Sequence, residues 1–380
     1  MGLAATLFAW LMLLLSFAAI GYTVFAIFAV RRFTRAPLPP ASRPEPISFL
    51  KPLHGIEPRL GENLATFLDQ DWPGPIQLVA GTNKADDAAL DVARALNGDI
   101  AIAADSPPLG ANPKISNLSN MMGYVAHDLL ILSDSDIAVP ADYAARVTSA
   151  LEQPGVGAVT CVYRGRGDAR GWSRFAAAGI SYQFLPSVVT SYALGYKGAC
   201  MGSTIALHRS TLKRIGGFEA FANCLADDHA IGASVRGLGL KVVPTPRLVL
   251  THGCAEESFL EVCRHELRWA ATIRDVDFRG HLGSILTHPL ALALLLVPLM
   301  PETGAASVIV SLLARSLLST KIDRVAGERT APLWWLPARD LFSFAIFIAS
   351  FGARSVDWRG ARLRIEQRGQ VTAEPEIRVS

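Results

Sequence analysis

The sequence has few cysteines, little net charge and no repeats, and each scarcity removes a class of protein. Five cysteines (Cys161, Cys200, Cys224, Cys254 and Cys263) include no Cys-x-x-Cys pair, so they read as small buried residues, kept reduced, and not as a disulfide framework. Net charge is only +3, with arginines gathered beside apolar segments, a pattern that suits anionic lipid headgroups better than nucleic acid. No nucleic-acid motif, internal repeat or low-complexity tract occurs. Most informative is the want of any charge between Leu3 and Val30, an apolar run longer than the core of a signal peptide. At 18% charged residues, however, the whole chain is too polar for a pure transporter.

About 20 apolar residues cross a bilayer as a helix, so the run over 3–30 predicts a span. Arg31, Arg32 and Arg35 follow at once with no small-residue cleavage site, which predicts a cytoplasmic chain after residue 30 and an amino terminus outside. The expected order of parts is an N-terminal transmembrane helix over 1–32, a Pro-rich stalk over 33–46, a cytoplasmic domain over 47–280, C-terminal membrane segments over 281–353 and a basic polar tail over 354–380. Within the soluble part, short apolar runs at 47–50, 76–80, 100–103, 129–132 and 156–161 predict strands, and 58–68, 86–96, 114–126 and 141–151 predict helices between several of them. Such alternation builds parallel β-α-β units, whose ligands bind at the carboxyl ends of the strands. Three apolar pieces follow residue 280, at 282–300, 305–318 and 333–352. The first two read as a hairpin; the third, which holds Arg339 and Asp340, is either a span or an interfacial helix.

Asp134-Ser135-Asp136 closes the apolar run 129–133, so a buried strand ends on two carboxylates one residue apart that can both face a hard cation. The triplet is also ordinary turn composition. Asp227-Asp228 and then Arg268-Trp269 stand further along the chain, and together the set predicts a sugar-nucleotide site whose diphosphate is carried by that cation. Asp227 and Asp228 equally suit a helix N-terminus, where carboxylates answer unpaired amides, and the two readings are compatible. His54, His208 and His252 have no ligand-like spacing and read as satisfied or exposed. The stretch 175–196 is unusually apolar for a soluble segment: it either lies in the headgroup region, admitting a lipid hydroxyl, or forms an ordinary buried helix pair.

Over residues 47–275 the chain resembles the ceramide glucosyltransferase family (glycosyltransferase family 21, family 2-like), including its bacterial members linked to hopanoid lipid glycosylation. The resemblance rests on Lys51-Pro52-Leu53-His54-Gly55, Asn112-Pro113-Lys114-Ile115-Ser116-Asn117-Leu118, Asp134-Ser135-Asp136, Leu225-Ala226-Asp227-Asp228-His229 and Arg264-His265-Glu266-Leu267-Arg268-Trp269, in that order. It implies an α/β fold: a GT-A nucleotide-sugar-binding domain, with a mixed, mainly parallel sheet flanked by helices and transmembrane helices at both ends. It also implies an inverting hexosyltransferase that moves glucose or N-acetylglucosamine from a UDP-sugar to a hydroxyl of a membrane lipid, a hopanoid (bacteriohopanetetrol) or ceramide. A divalent cation, Mg2+ or Mn2+, is implied as cofactor. The expected place is a bacterial inner membrane, with the catalytic domain in the cytoplasm.

The resemblance carries roles onto particular residues. Asp134 and Asp136 hold the metal, Lys114 and Arg268 face the diphosphate, Trp269 packs on the sugar or the acceptor chain, and Asp228 is the base that takes the acceptor's proton. Near the uracil the chain reads Gly81-Thr82-Asn83-Lys84-Ala85-Asp86-Asp87, with Asp86 as the donor contact and Asn83 in the other candidate place. Where the family carries Gln or Arg three residues before the Arg-Trp pair, this chain has His265, assigned to the donor, with Arg264 just outside. Lys114 otherwise reads as a solvated lysine near a helix start, and Trp269 as packing between domain and membrane. Two other functions stay open. A processive polysaccharide synthase usually has Gln-x-x-Arg-Trp and enough spans to make a channel; a non-catalytic lipid- or nucleotide-binding membrane protein would not need Asp228.

Overall fold

The computed structural model describes residues 3–41, 43–196, 199–353, 355–358, 361–365 and 371–373, and in it the short apolar runs become strands. β1 (Ile47–Pro52), β2 (Ile76–Gly81), β3 (Asp99–Ala103) and β4 (Leu129–Leu132) are joined through the helices Leu60–Leu68, Ala89–Arg94 and Pro113–Met121. In β4, Leu129 and Ile131 enter a core with Phe49, Phe67 and Tyr143, while Leu130 and Leu132 enter a second with Leu50, Val79 and Ile205. Alternate residues fill opposite faces, and a strand covered on both sides needs an unbroken apolar run.

β5 (Ile137–Ala138), β6 (Val156–Gly167), β7 (Ile205–His208) and β8 (Lys241–Cys254) complete a sheet of order β3-β2-β1-β4-β7-β6-β8-β5. β1 to β4 are parallel; β7 runs against β4 and β6, and β5 against β8. This is the mixed, mainly parallel sheet flanked by helices that the resemblance implied. The order of connection reverses between β1 and β4, so a crevice opens at their carboxyl ends. Long β8 was hidden in the sequence by Pro244, Pro246 and Arg247. Its register with β6 slips between Thr160↔Pro244 and Val162↔Val249, a bulge that absorbs the prolines. There Arg247 takes a left-handed φ of 59° and donates Nε to Ala36 O at 2.5 Å, tying the bulge to the chain leaving the first helix.

Among the described residues two helices, Leu3–Phe33 and Pro301–Ala326, are long and apolar enough to cross a membrane. Both are built inside out. In the first, Ala9, Ser16, Ala19, Thr23 and Ala26 are buried while Leu7, Trp10, Leu14 and Phe17 are exposed. In the second, Gly304, Ser307, Ser311 and Ser319 face inward and Ile309, Leu313 and Leu317 outward. Small residues that bring backbones together, with large apolar ones outside, are how helices pack where lipid replaces water. The other apolar pieces are shorter: Pro289–Leu296, and Leu336–Ser350, whose 15 residues rise about 22 Å against a hydrocarbon core of about 30 Å. The basic tail expected over 354–380 lies largely outside the described residues, whose last parts pair as a three-stranded antiparallel sheet.

Arg315 and Asp340 join the helices Pro301–Ala326 and Leu336–Ser350 by a buried two-pronged ion pair at 2.8 and 2.7 Å. Arg315 also donates to Tyr182 O at 2.8 Å. Removing one member of such a pair strands a buried charge, at a cost of about 3–5 kcal/mol. Arg315→Met is therefore expected to lower the thermal midpoint sharply in detergent, and the double change Arg315→Met, Asp340→Leu to recover most of it. A single variant melting with the wild type would show that the pair does not hold these helices.

Candidate active site

The crevice is floored by the turn that leaves β4. Lys51, near the end of β1 and fully buried, donates Nζ to Asp134 O at 2.5 Å and to Ser133 Oγ at 3.3 Å, and lies 3.8 Å over the Phe67 ring. Burial brings its pKa down to about 7, against the upward pull of Asp136, Asp134 and Glu57. Ser135 Oγ donates to Glu57 at 2.6 Å, and Asp134 N to Gly202 O at 3.0 Å. The turn is thus pinned by side chain and backbone on several sides, and its two carboxylates have little freedom to move together.

Asp227 and Asp228 lie in the first turn of the helix Asp227–Gly237, where carboxylates answer free backbone amides. Asp228 Oδ1 accepts from His229 N at 2.7 Å and its Oδ2 from Gly202 N at 3.1 Å. Gly202 therefore holds the Asp134 turn by its carbonyl and Asp228 by its amide. A Cβ at this position would land on Asp134 Oδ2. Lys114 bridges the two acidic groups: its Nζ is 2.6 Å from Asp134 Oδ1 and 3.4 Å from Asp227 Oδ2. It sits at the start of the helix Pro113–Met121, which Asn112 caps by accepting from Ile115 N at 3.1 Å. Burial opposes the Lys114 charge, but Asp134, Asp227 and Asp228 outweigh it and raise its pKa. Burial also raises the pKa of Asp227, against the pull of Lys114. For Asp228, burial and then the charge of Asp227 push the value up to about 6.

The third wall is the helix Phe259–Val276, which carries His265, Arg268 and Trp269. The Trp269 ring has His265 at 4.6 Å and His252 and Phe184 at 6.1 Å. His252 Nε2 is 3.3 Å from Asp136 Oδ2, and its ring stacks on Tyr163 at 5.3 Å. His265 pairs through Nδ1 with Glu256 Oε1. Arg268 stands half-buried on the same helix.

Of the residues picked out from sequence, Lys114, Asp134, Asp136 and Asp228 thus surround one turn, and His252 links that turn to Trp269 and His265. Asp86 stands apart, exposed in the loop after β2. In that loop Asp87 accepts from Gly55 N with both oxygens at 3.0 Å, and Asn83 Nδ2 donates to Pro113 O at 3.0 Å. Three neighbours of the site had no role assigned from sequence: Lys51, His252 and Glu256. Only Lys51 carried a local signal, a lysine closing an apolar strand. His252 arrives through the pairing Ile137↔His252, which no spacing reveals.

Asp134 and Asp136 fit a divalent cation shared with a diphosphate. Asp136 Oδ1 is buried and has no hydrogen-bond partner among the described residues, which leaves an oxygen for a ligand. Among those residues no three His, Cys, Asp or Glu side chains converge to hold an ion by themselves. One or two carboxylates completed by phosphate oxygens and water is the usual coordination of Mg2+.

The profile of the family described as Glycosyl transferase family 21 matches residues 11–371. Ceramide glucosyltransferase 1 of Caenorhabditis elegans is 25% identical over 221 residues, 56% of this chain. The match spans about half of that relative's length, 45%. A mannosyltransferase from Pyrobaculum calidifontis, solved in complex with GDP-Man and Mn2+, is similar in structure with a TM-score of 0.54 and 18% identity, over 90% of this chain and 98% of that one. At that identity the likeness is one of fold.

Proposed function

The chain belongs to glycosyl transferase family 21, and from that premise we propose that it is a membrane-embedded, inverting enzyme that moves a hexose from a UDP-sugar to a hydroxyl of a membrane lipid. The observation that carries this reading is the Gly202 bridge, which sets one carboxylate, Asp228, beside the acidic turn Asp134–Asp136 while leaving them on separate elements. An inverting transfer needs that separation of roles. The acceptor oxygen attacks the anomeric carbon from the face opposite the diphosphate; the new C–O bond forms as the bond to UDP breaks. Asp228 takes the hydroxyl proton.

Lys114 and Arg268 supply positive charge where the leaving diphosphate gathers negative charge, in a crevice partly closed to water. A divalent cation held by Asp134 and Asp136 would neutralise the same group. His265 and Trp269 offer a hydrogen-bonding edge and an indole to the donor, and Asp86 is the proposed contact towards the uracil. Lys51 keeps the turn in place from below.

The acceptor reading draws support from the inside-out helices and from the segment after β6. A π-turn, Ile180–Phe184, sets Phe184 against Trp269 while its Tyr182 carbonyl accepts from Arg315 of the helix Pro301–Ala326 at 2.8 Å, so one stretch touches both the crevice and a helix long enough to span. A lipid hydroxyl entering there meets the base without leaving the membrane surface. Ceramide and bacteriohopanetetrol are the acceptors to test, glucose and N-acetylglucosamine the sugars, and the arginines after the first helix favour a cytoplasmic domain. Purified protein in nanodiscs, given labelled UDP-glucose or UDP-N-acetylglucosamine with each lipid, is expected to make one glycolipid, and a chelator to abolish it. UDP binding without lipid product from any pair would sink the proposal.

A further inference from the structure

We infer that Glu256 is a hydroxyl-recognition residue of the crevice: Oε1 is committed to His265, and Oε2 accepts a hydrogen bond from a hydroxyl of one of the two reacting molecules. The inference rests on the transferase reading and deepens it. Glu256 follows the end of β8 and precedes the helix that bears His265 and Trp269, and it is only 8% exposed. Its Oε1 meets His265 Nδ1, whereas Oε2 is buried with no hydrogen-bond partner among the described residues. An unpaired buried carboxylate oxygen costs at least about 1–3 kcal/mol, so such an atom marks a place where something else completes the pairing.

What completes it follows from the surroundings. Burial works against the Glu256 charge, but the hydrogen bond and charge of His265 hold its carboxyl below the usual range, so Oε2 is an acceptor that calls for a donor. A neutral hydroxyl fits. The place fits as well: His265 packs on Trp269, Trp269 reaches His252, and His252 touches Asp136, so Glu256 lies on the wall where the Trp269 indole is offered. Hydroxyls reach that wall from two sources, the transferred hexose and the polar head of the acceptor lipid.

The full-length protein in nanodiscs separates them. Affinity is measured for UDP, UDP-glucose and the mono-deoxy UDP-glucose analogues, and KM for the acceptor, in the wild type and in Glu256→Gln. If the hexose is read, one deoxy analogue binds the wild type about 10- to 100-fold more weakly than UDP-glucose, Glu256→Gln loses that discrimination, and UDP affinity is unchanged. If the acceptor is read, donor affinities stay level and the acceptor KM rises by a similar factor. Either result supports recognition by Glu256. A residue that only orients His265 predicts the same discrimination among analogues and the same acceptor KM in both proteins, and that result overturns the inference. Should Glu256→Gln fail to fold, Glu256→Asp, which withdraws the same oxygens while keeping the charge, takes its place in the comparison. If the wild type binds neither UDP nor any UDP-sugar, the transferase reading falls first and takes this inference with it.

Discussion

Asp228→Asn is expected to lower kcat by about 100- to 10,000-fold while UDP-sugar affinity stays at the wild-type value. The exchange keeps the size of the side chain and can still accept one of the bonds from Gly202 N and His229 N, but it cannot take a proton. The same assignment fixes the direction of the pH profile. Burial and the charge of Asp227 raise Asp228 to about 6, so below that pH the base is protonated and idle, and kcat/KM climbs as pH rises through it. Asp227→Asn removes one of the two causes and is expected to move the rising limb to lower pH. Asp228→Asn turning over like the wild type would remove Asp228 as the base and put the proton on another acceptor in the crevice.

Much of the skeleton was legible because it obeys local rules. The runs at 47–50, 76–80, 100–103 and 129–132 are mainly apolar because their strands pack on both faces, the exceptions Ser48 and Gln77 bonding to each other at 2.8 Å, and each became a strand within a residue or two at either end. The helices came out shorter than predicted, Pro113–Met121 against 114–126, because the chain tightens into a single 3-10 turn at Met122–Tyr124. β8 was illegible for a different reason: prolines and an arginine sit in its bulge, and its mate β6 carries Arg164 and Arg166. The acidic side of the site could be read since its parts are short motifs on strand and helix ends. The wall formed by His252 and Glu256 depends on β5 pairing with β8, and long-range pairing leaves no mark in local spacing. The two long apolar helices showed the converse. Their apolarity was plain, but only packing reveals that their alanines and serines face inward.

Gly202→Ala tests whether the acidic turn acts at the diphosphate. Gly202 is not among the residues with left-handed φ, so its backbone accepts alanine and the effect comes from contact alone. The new methyl meets Asp134 Oδ2, and the carboxylate must swing away. That swing breaks the 2.6 Å pairing with Lys114 and displaces one of the two carboxylates proposed to hold the cation. A shift of about 1 Å in a reacting constellation commonly costs about 100-fold, so kcat/KM should fall by that order and half-saturation by Mg2+ or Mn2+ should move to higher concentration. Gly123→Ala, where nothing lies within 4 Å of the added carbon, is the control and should leave both unchanged. A Gly202→Ala enzyme with wild-type turnover and cation dependence would mean that Asp134 is free to move without consequence. The bridge between base and acidic turn would then be structural, and the diphosphate would have to be held elsewhere in the crevice.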